Sequence, residues 1–165
     1  MPRKAPTRNV VLVDMDGTIA DASRRVRKYL RGTKKDWPGF FRDMEHDPPI
    51  QTVLDRVKEL ALKHDIVILT GRPEKYRPNT EEWLKHNSVK YMQLLMRPQG
   101  DHRPDYESKA ALLDEFLAGG RKVVLALDDR GPVCDAYRER GIHAVLVDSN
   151  LENQRINQLY REIAD

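Results

Sequence analysis

Five short apolar runs recur along the chain, and they limit its possible folds more than any other feature. They are rich in β-branched residues and lie at residues 10–13, 66–69, 91–96, 123–127 and 143–147. Between most of them lie segments whose apolar residues have helical spacing, at 51–63, 80–86, 106–117 and 132–140. The last segment, 151–165, predicts a polar terminal helix. Near-continuous hydrophobic strands joined by helices are typical of a parallel sheet covered on both faces. The sequence therefore predicts a three-layer α/β fold that binds ligands beyond the carboxyl ends of its strands.

The length and composition predict one domain over residues 1–165. A third of the residues are charged, and no apolar stretch approaches the roughly 20 residues of a membrane span, so we expect no membrane association. The start, MPRKAPTRN, lacks the apolar core of a signal peptide, and the single cysteine, Cys134, has no partner for a disulfide within the chain. We therefore expect a reducing, cytoplasmic setting. The net charge of +3 suits a polyanionic partner but is weak support by itself.

Two carboxylates, Asp14 and Asp16, follow the first apolar run. Side chains two residues apart in a strand share a face, so both can point into one site, where a divalent cation or a shared proton would relieve their repulsion. A calcium-binding EF-hand loop does not fit, because it needs Gly and Glu where this chain has Ile19 and Arg25. A solvated turn is the simpler alternative for this pair alone.

Polar residues also follow the next three runs. Thr70 and Arg72 could hold phosphate oxygens after the second run, and Asp105 and Lys109 are spaced to meet on one helical turn after the third. A further acidic pair, Asp128-Asp129, follows the fourth run. Each group alone could be an ordinary surface feature, but together they converge on one edge of the predicted sheet.

In this order, the four groups resemble the motifs of the haloacid dehalogenase (HAD) superfamily of phosphotransferases. They are Asp14-Met15-Asp16-Gly17-Thr18, Thr70, Lys109 and Asp128-Asp129. The resemblance implies a Rossmann-like sheet ordered 5-4-1-2-3 and a magnesium-dependent phosphatase that forms an aspartyl-phosphate. It implies that Asp14 is the nucleophile, Asp16 the general acid and base, and Thr70 and Lys109 the phosphoryl ligands. Mg²⁺ would be held by Asp14, the Asp16 backbone carbonyl, Asp128 and Asp129.

A finer resemblance is to the phosphatase domain of phage-type polynucleotide kinase/3′-phosphatases. It rests on TGRPEKYRPNTEEWLKHN and MRPQGDHRPDYESK, and it implies substrate contacts by Thr18, Arg25, Gly71, Arg72 and Asp105. Arg24 is the alternative to Arg25 as a phosphate contact. The expected substrate is a DNA or RNA end with a 3′-phosphate, and a kinase or ligase could act alongside. No G-x-x-x-x-G-K-[ST] motif occurs in the 165 residues, so we expect no kinase activity from this chain.

The segment 21–50, called here the insertion, interrupts the strand–helix alternation. It is basic and contains four aromatic residues, Tyr29, Trp37, Phe40 and Phe41, a mixture able to follow a phosphate backbone and stack on bases. The alternative is a small cap that packs its aromatic side chains inward and leaves a solvated basic face.

Other functions remain open at this point. A 5′(3′)-deoxyribonucleotidase of the same superfamily would carry the same motifs, and relative turnover of oligonucleotides and mononucleotides would distinguish it. A receiver domain also uses Asp, Thr, Lys and Mg²⁺, but it carries its acidic pair first and its phosphoacceptor later. A nucleic-acid-binding module without activity would need the basic insertion but none of the acids.

Overall fold

The computed structural model describes residues 7–164; residues 1–6, which hold most of the basic start, and Asp165 lie outside the described part. Within it there are five strands: β1 Val10–Val13, β2 Asp65–Pro73, β3 Gln93–Arg97, β4 Val123–Asp128 and β5 Ala144–Leu146. The seven α-helices of residues 7–164 are α1 Ser23–Tyr29, α2 Trp37–Arg42, α3 Gln51–Leu60, α4 Arg77–His86, α5 Asp105–Ala118, α6 Gly131–Glu139 and α7 Leu151–Glu162. Two 3₁₀ helices cover Asp43–His46 and Glu74–Tyr76. None of the helices in residues 7–164 has the length and apolar character that a membrane span requires.

The strands of residues 7–164 form one parallel sheet in the order β3-β2-β1-β4-β5. This is the predicted order read from the opposite edge, so the prediction is confirmed. The central strand β1 pairs with β2 on one side and β4 on the other, with Val13 opposite Ile68 and Leu127. The residues that follow β1 therefore lie beside the ends of β2 and β4.

Two apolar layers cover the sheet because the side chains of β1 alternate between its faces. Val11 and Val13 pack on one face with residues of α3 and α4, among them Leu54 and Trp83. Val10 and Leu12 pack on the other face, with α5 and α6. This double burial explains why the strands read as continuous apolar runs.

The predicted end of the second strand was wrong. We expected Thr70 and Arg72 to follow the strand, but β2 continues to Pro73 because Thr70 pairs with Met96 and Pro73 with Arg97 of β3. The motif residues thus belong to the strand itself: Thr70 is still paired in register with β3, and the register shifts between Thr70 and Pro73, where Gly71 and Arg72 lie.

The insertion packs against the last helix. Phe40 and Met44 of the insertion form an apolar cluster with Ile156 and Tyr160 of α7. Of its aromatic side chains Phe40 is buried, whereas Tyr29, Trp37 and Phe41 are partly buried against the same cluster. Phe41 also stacks on Tyr76 with ring centroids 3.8 Å apart. Its exposed basic side chains are Arg27, Lys28, Arg31, Lys34, Lys35 and Arg42.

Candidate active site

Asp14 lies at the centre of the polar edge of the sheet, directly after β1. Its side chain is buried, and its two oxygens have different partners: Lys109 Nζ donates to Oδ1 at 2.9 Å and Thr18 Oγ1 to Oδ2 at 3.0 Å. Its backbone N–H donates to the Leu127 carbonyl at 3.0 Å, which ties the end of β1 to β4. The carboxylate is therefore held in one orientation.

Three carboxylates surround the Lys109 ammonium group. The Nζ atom lies 2.9 Å from Asp14, 2.7 Å from Asp128 and 3.3 Å from Asp105. Burial opposes the charge of Lys109, but these acids together raise its pKa well above the ordinary value. Lys109 therefore stays protonated and offsets part of the negative charge of the site.

The acids of Asp14, Asp128 and Asp129 form a cluster that could hold a metal ion. One carboxylate oxygen from each lies within 4.8 Å of the others. Ser149 donates to Asp129 Oδ2 at 2.7 Å, whereas Asp129 Oδ1 is buried without a hydrogen-bond partner within residues 7–164. Burial and the neighbouring acids raise the pKa of Asp128 to about 8 and that of Asp129 to about 9, and burial raises that of Asp14. Oxygen ligands and uncompensated negative charge fit a hard divalent cation such as Mg²⁺.

Gly17 makes room for this cluster. Its backbone has a φ of +84°, and a Cβ at this position would collide with the Asp129 carboxylate. Glycine adopts such a conformation without steric cost, so the turn after Asp16 can pass directly beside Asp129.

The Asp16 side chain points into a different set of partners. Arg72 binds it with two hydrogen bonds, from Nε at 3.0 Å and from Nη2 at 2.7 Å, and Arg25 Nη2 lies 3.5 Å away. Burial favours the neutral acid, but the two guanidinium groups hold the pKa of Asp16 below its usual value. Asp16 is therefore a carboxylate in this structure, and its side chain lies outside the three-acid cluster.

Asp47 completes the charge balance around Asp16. It accepts hydrogen bonds from Arg25 Nε and Nη2, both at 2.8 Å, and lies 3.6 Å from Arg72. The hydroxyl of Tyr160 accepts from Arg25 at 3.1 Å. Two arginines and two aspartates thus form a buried network in which the charges balance.

The end of β2 lies beside the start of α5. A Cβ on Gly71 would lie 2.5 Å from Asp105 Oδ1, so only glycine allows this approach. Arg97 of β3 holds both sides of the contact, donating to the Gly71 carbonyl at 3.1 Å and to Asp105 Oδ1 at 3.3 Å. Thr70 Oγ1 accepts from the Arg72 backbone N–H at 3.2 Å.

The contacts join the residues that the sequence indicated into two groups. Around Lys109 and the acid cluster lie Asp14, Thr18, Gly71, Asp105, Asp128 and Asp129. Around the Asp16 carboxylate lie Arg25, Arg72 and, bound to the Arg72 backbone, Thr70. Two of the expected substrate ligands, however, are fully buried and bound to acids: Arg25 to Asp47 and Arg72 to Asp16. In this conformation they position Asp16 rather than present a free guanidinium group to a ligand.

The family model that describes the phosphatase domain of the polynucleotide kinase PNKP matches residues 8–150. The chain belongs to this family. Its acid cluster, Lys109 and the end of β2 all lie inside the matched region. With this membership, the chain is a phosphatase of the haloacid dehalogenase type.

Individual known proteins are also similar to this PNKP-family phosphatase. A protein of Autographa californica nuclear polyhedrosis virus, described as a bifunctional polynucleotide kinase/RNA ligase, is 30% identical over 138 residues, which are 82% of this chain and 18% of the viral protein. A chain of the Pnkp1/Rnl/Hen1 RNA repair complex superposes with a TM-score of 0.71 and 27% identity, over 92% of this chain and 46% of its own. A haloacid dehalogenase-like hydrolase from Streptococcus pneumoniae shares the fold, with a TM-score of 0.62, 12% identity and coverage of 94% and 91%. The chain thus spans less than half of each of the two polynucleotide-repair relatives.

Several residues of this PNKP-family site were missed in the sequence. Asp47 and Tyr160 contact Arg25, Ser149 contacts Asp129, and Asn157 lies beside Gly71. None belongs to one of the four motifs. No sequence signal marked them, because the burial of Arg25, which requires acidic partners, is visible only in the structure.

Proposed function

We propose that this phosphatase domain removes 3′-phosphates from polynucleotide ends through a phosphorylated Asp14, with Mg²⁺ as its cofactor. The observation that carries the proposal is the position of Asp14, a carboxylate oriented by Lys109 and Thr18 inside an acid cluster. The family membership supports phosphate esters as substrates.

In the first step, an oxygen of Asp14 attacks the phosphorus atom and the bond from phosphorus to the 3′-oxygen breaks. The leaving 3′-oxygen takes a proton from Asp16. In the second step, water attacks the phosphorus atom of the aspartyl-phosphate, Asp16 accepts a proton from that water, and the bond from phosphorus to Asp14 breaks. Lys109 and Thr70 hold phosphoryl oxygens in both steps.

The arginine partners of Asp16 favour the second step but oppose the first. The two hydrogen bonds from Arg72 and the nearby charge of Arg25 favour the ionised Asp16 carboxylate, which is the form that accepts a proton in the second step. The first step needs the protonated acid, so Asp16 has to loosen its contact with Arg72 when the substrate binds. Proton transfer of this kind contributes roughly 10²- to 10⁴-fold to a rate.

The cofactor assignment rests on the donor set of the acid cluster. Asp14, Asp128 and Asp129 would hold Mg²⁺ through oxygens that already lie within 4.8 Å of one another, and Asp129 Oδ1 has no hydrogen-bond partner in the described residues. The Asp16 side chain is bound to Arg72, so a contact from Asp16 would come from its backbone carbonyl, as the family resemblance implies. When bound, Mg²⁺ neutralises the carboxylates and polarises a phosphoryl oxygen.

A polynucleotide is the proposed substrate because the family and the viral relative are named for polynucleotide kinases, and the complex is named for RNA repair. The exposed basic side chains of the insertion supply charge for a phosphate backbone. Because the chain spans less than half of those relatives, a kinase or a ligase acting alongside it is also proposed.

A substrate panel tests the proposal. Phosphate release is measured with Mg²⁺ from a 3′-phosphorylated oligonucleotide, the same oligonucleotide with a 5′-phosphate, and a 3′-mononucleotide, with a chelator as control. We expect the highest kcat/KM on the 3′-phosphorylated oligonucleotide and none in chelator. Faster turnover of the mononucleotide would instead identify a nucleotidase.

A further inference from the structure

The side chains that the proposed chemistry needs are almost completely covered. The exposed fraction is 2% or less for Asp14, Asp16, Thr70, Lys109, Asp128 and Asp129. A phosphate ester has to touch the Asp14 carboxylate to react, so some part of the structure has to move before it can bind.

One face of α7 lies over the site and contacts three parts of it. Asn153 accepts a hydrogen bond from the Ala22 backbone at 2.8 Å, and its Cβ lies 3.0 Å from the position of a Cβ on Gly17. Tyr160 reaches Arg25, the neighbour of Asp16, at 3.1 Å. Between them, Asn157 Oδ1 lies 3.1 Å from the position of a Cβ on Gly71. Spacings of four and three residues place these side chains on the same face of the helix.

The covering helix lies outside the matched region. The family match ends at residue 150, and α7 begins at Leu151. The match by itself therefore assigns no role to α7.

The side-chain amide of Asn157 indicates which kind of ligand atom α7 would contact. Asn157 is 2% exposed, and its Nδ2 group is buried without a hydrogen-bond partner within residues 7–164. An unpaired buried donor costs free energy that a ligand oxygen would recover. The residue lies beside Gly71, which follows Thr70, the expected phosphoryl ligand. It also lines, with Asp105 and the half-exposed Tyr106, a cavity of about 190 Å³ at the edge of α7.

We propose that α7 is a lid that opens to admit the phosphate ester and closes on it, with Asn157 as an additional substrate-binding residue that donates from Nδ2 to a phosphoryl oxygen. The inference rests on the proposed function, since it takes a phosphate ester as the substrate. It adds a donor and a gate that the four motifs do not contain.

Asn157→Ala tests the contact, and Glu162→Ala is the control, because it removes a polar side chain from an exposed position of α7 that does not line this cavity. A hydrogen bond to a charged group is worth roughly tenfold to 100-fold in binding, so kcat/KM on the 3′-phosphorylated oligonucleotide should fall by that factor in Asn157→Ala. The inhibition constant for inorganic phosphate should rise similarly. The control should stay within about twofold, since surface substitutions have small effects.

Hydrogen exchange, measured on the wild-type protein and on Asn157→Ala, tests the lid independently of turnover. The amides of α7 should exchange faster than those of β1 and β4, and inorganic phosphate with Mg²⁺ should slow them in the wild-type protein but not in Asn157→Ala. An exchange rate in α7 that does not change when phosphate and Mg²⁺ are added, or full activity of Asn157→Ala, would overturn the inference. If the wild-type protein releases no phosphate from the oligonucleotide but phosphate still protects α7, the proposed function fails and the lid stands.

Discussion

Lys109 places one ammonium group among the carboxylates of Asp14, Asp105 and Asp128, and Asp129 adds a fourth acid to the same edge of the sheet. Arg97 offsets the charge of Asp105. The remaining acids exceed the positive charge beside them, and this repulsion adds to burial, the larger cause, in raising the pKa values of Asp128 and Asp129. At the scale of single residues, the site is therefore incomplete without another cation.

Asp14→Asn removes the proposed nucleophile with little change in shape. We expect activity to fall by on the order of 10⁴-fold or more, because an amide cannot attack phosphorus and covalent catalysis is lost. The circular dichroism spectrum should not change, since the substitution also relieves repulsion among the acids. Asp55→Asn, an exposed aspartate on α3, is the control and should retain full activity. Turnover by Asp14→Asn would refute the nucleophile assignment.

Asp129→Asn tests the metal site independently of turnover. At a Mg²⁺ concentration 100 times its dissociation constant, binding stabilises a protein by about 2.7 kcal/mol, or about 5 to 10 °C in melting temperature for a chain of this size. The wild-type protein should show this shift by calorimetry. The shift should be at most half as large in Asp129→Asn, because one of three carboxylate ligands is gone. An equal shift in both proteins would exclude Asp129 as a ligand.

Sequence patterns located the acids because parallel strands end on one edge of a sheet, so Asp14 and Asp128 had to meet. They did not locate Asp47, which lies in a loop, or Asn157, which lies in α7 and belongs to none of the four motifs. A lone Asp or Asn has no spacing to read, and only the three-dimensional contacts with Arg25 and Gly71 distinguish them.

At the scale of elements, α7 is held by a mixture of contacts. Ile156 and Tyr160 join the apolar cluster of the insertion, and Asn150 caps the helix by accepting from the Asn153 backbone at 3.0 Å. On the surface, Glu152 forms salt bridges with Arg31 at 3.2 Å and Arg27 at 3.8 Å. The sequence predicted a polar helix here but not its position over the site, because amphipathic spacing does not say which surface a helix covers.

Glu152→Arg should loosen α7. The substitution replaces two exposed attractions by repulsions among three arginines, a change on the order of 1 kcal/mol. We expect the amides of α7 to exchange about fivefold faster, with exchange in β1 and β4 unchanged. Glu152→Gln, which removes the attraction without adding repulsion, should give an exchange rate in α7 between those of the wild-type protein and Glu152→Arg. Equal exchange in all three proteins would show that these salt bridges do not hold α7.

At the scale of the whole molecule, the acid cluster makes stability depend on pH. Burial raises the pKa of Asp128 and Asp129 in the folded protein above the value near 3.8 that an unfolded chain has. The folded state then binds protons more tightly than the unfolded state, so their contribution to stability is complete below about pH 3.8 and is lost as the pH rises toward about 9.

In a chelator, the melting temperature should therefore fall by about 5 °C or more between pH 6 and pH 9. Saturating Mg²⁺ should remove most of this decline, because the ion holds the acids in their charged form. Melting curves across this range, with and without Mg²⁺, provide the measurement. A decline of the same size in Mg²⁺ would contradict the assigned ligands.

The central position of β1 has a consequence for biosynthesis. On the ribosome, Asp14 is made on the order of ten seconds before Asp128, at ordinary rates of elongation. Throughout that interval one edge of β1 lacks its partner β4, so the backbone N–H and C=O groups on that side are without their strand partners. The nascent chain can therefore neither assemble the acid cluster nor complete the sheet until most of it has been synthesised.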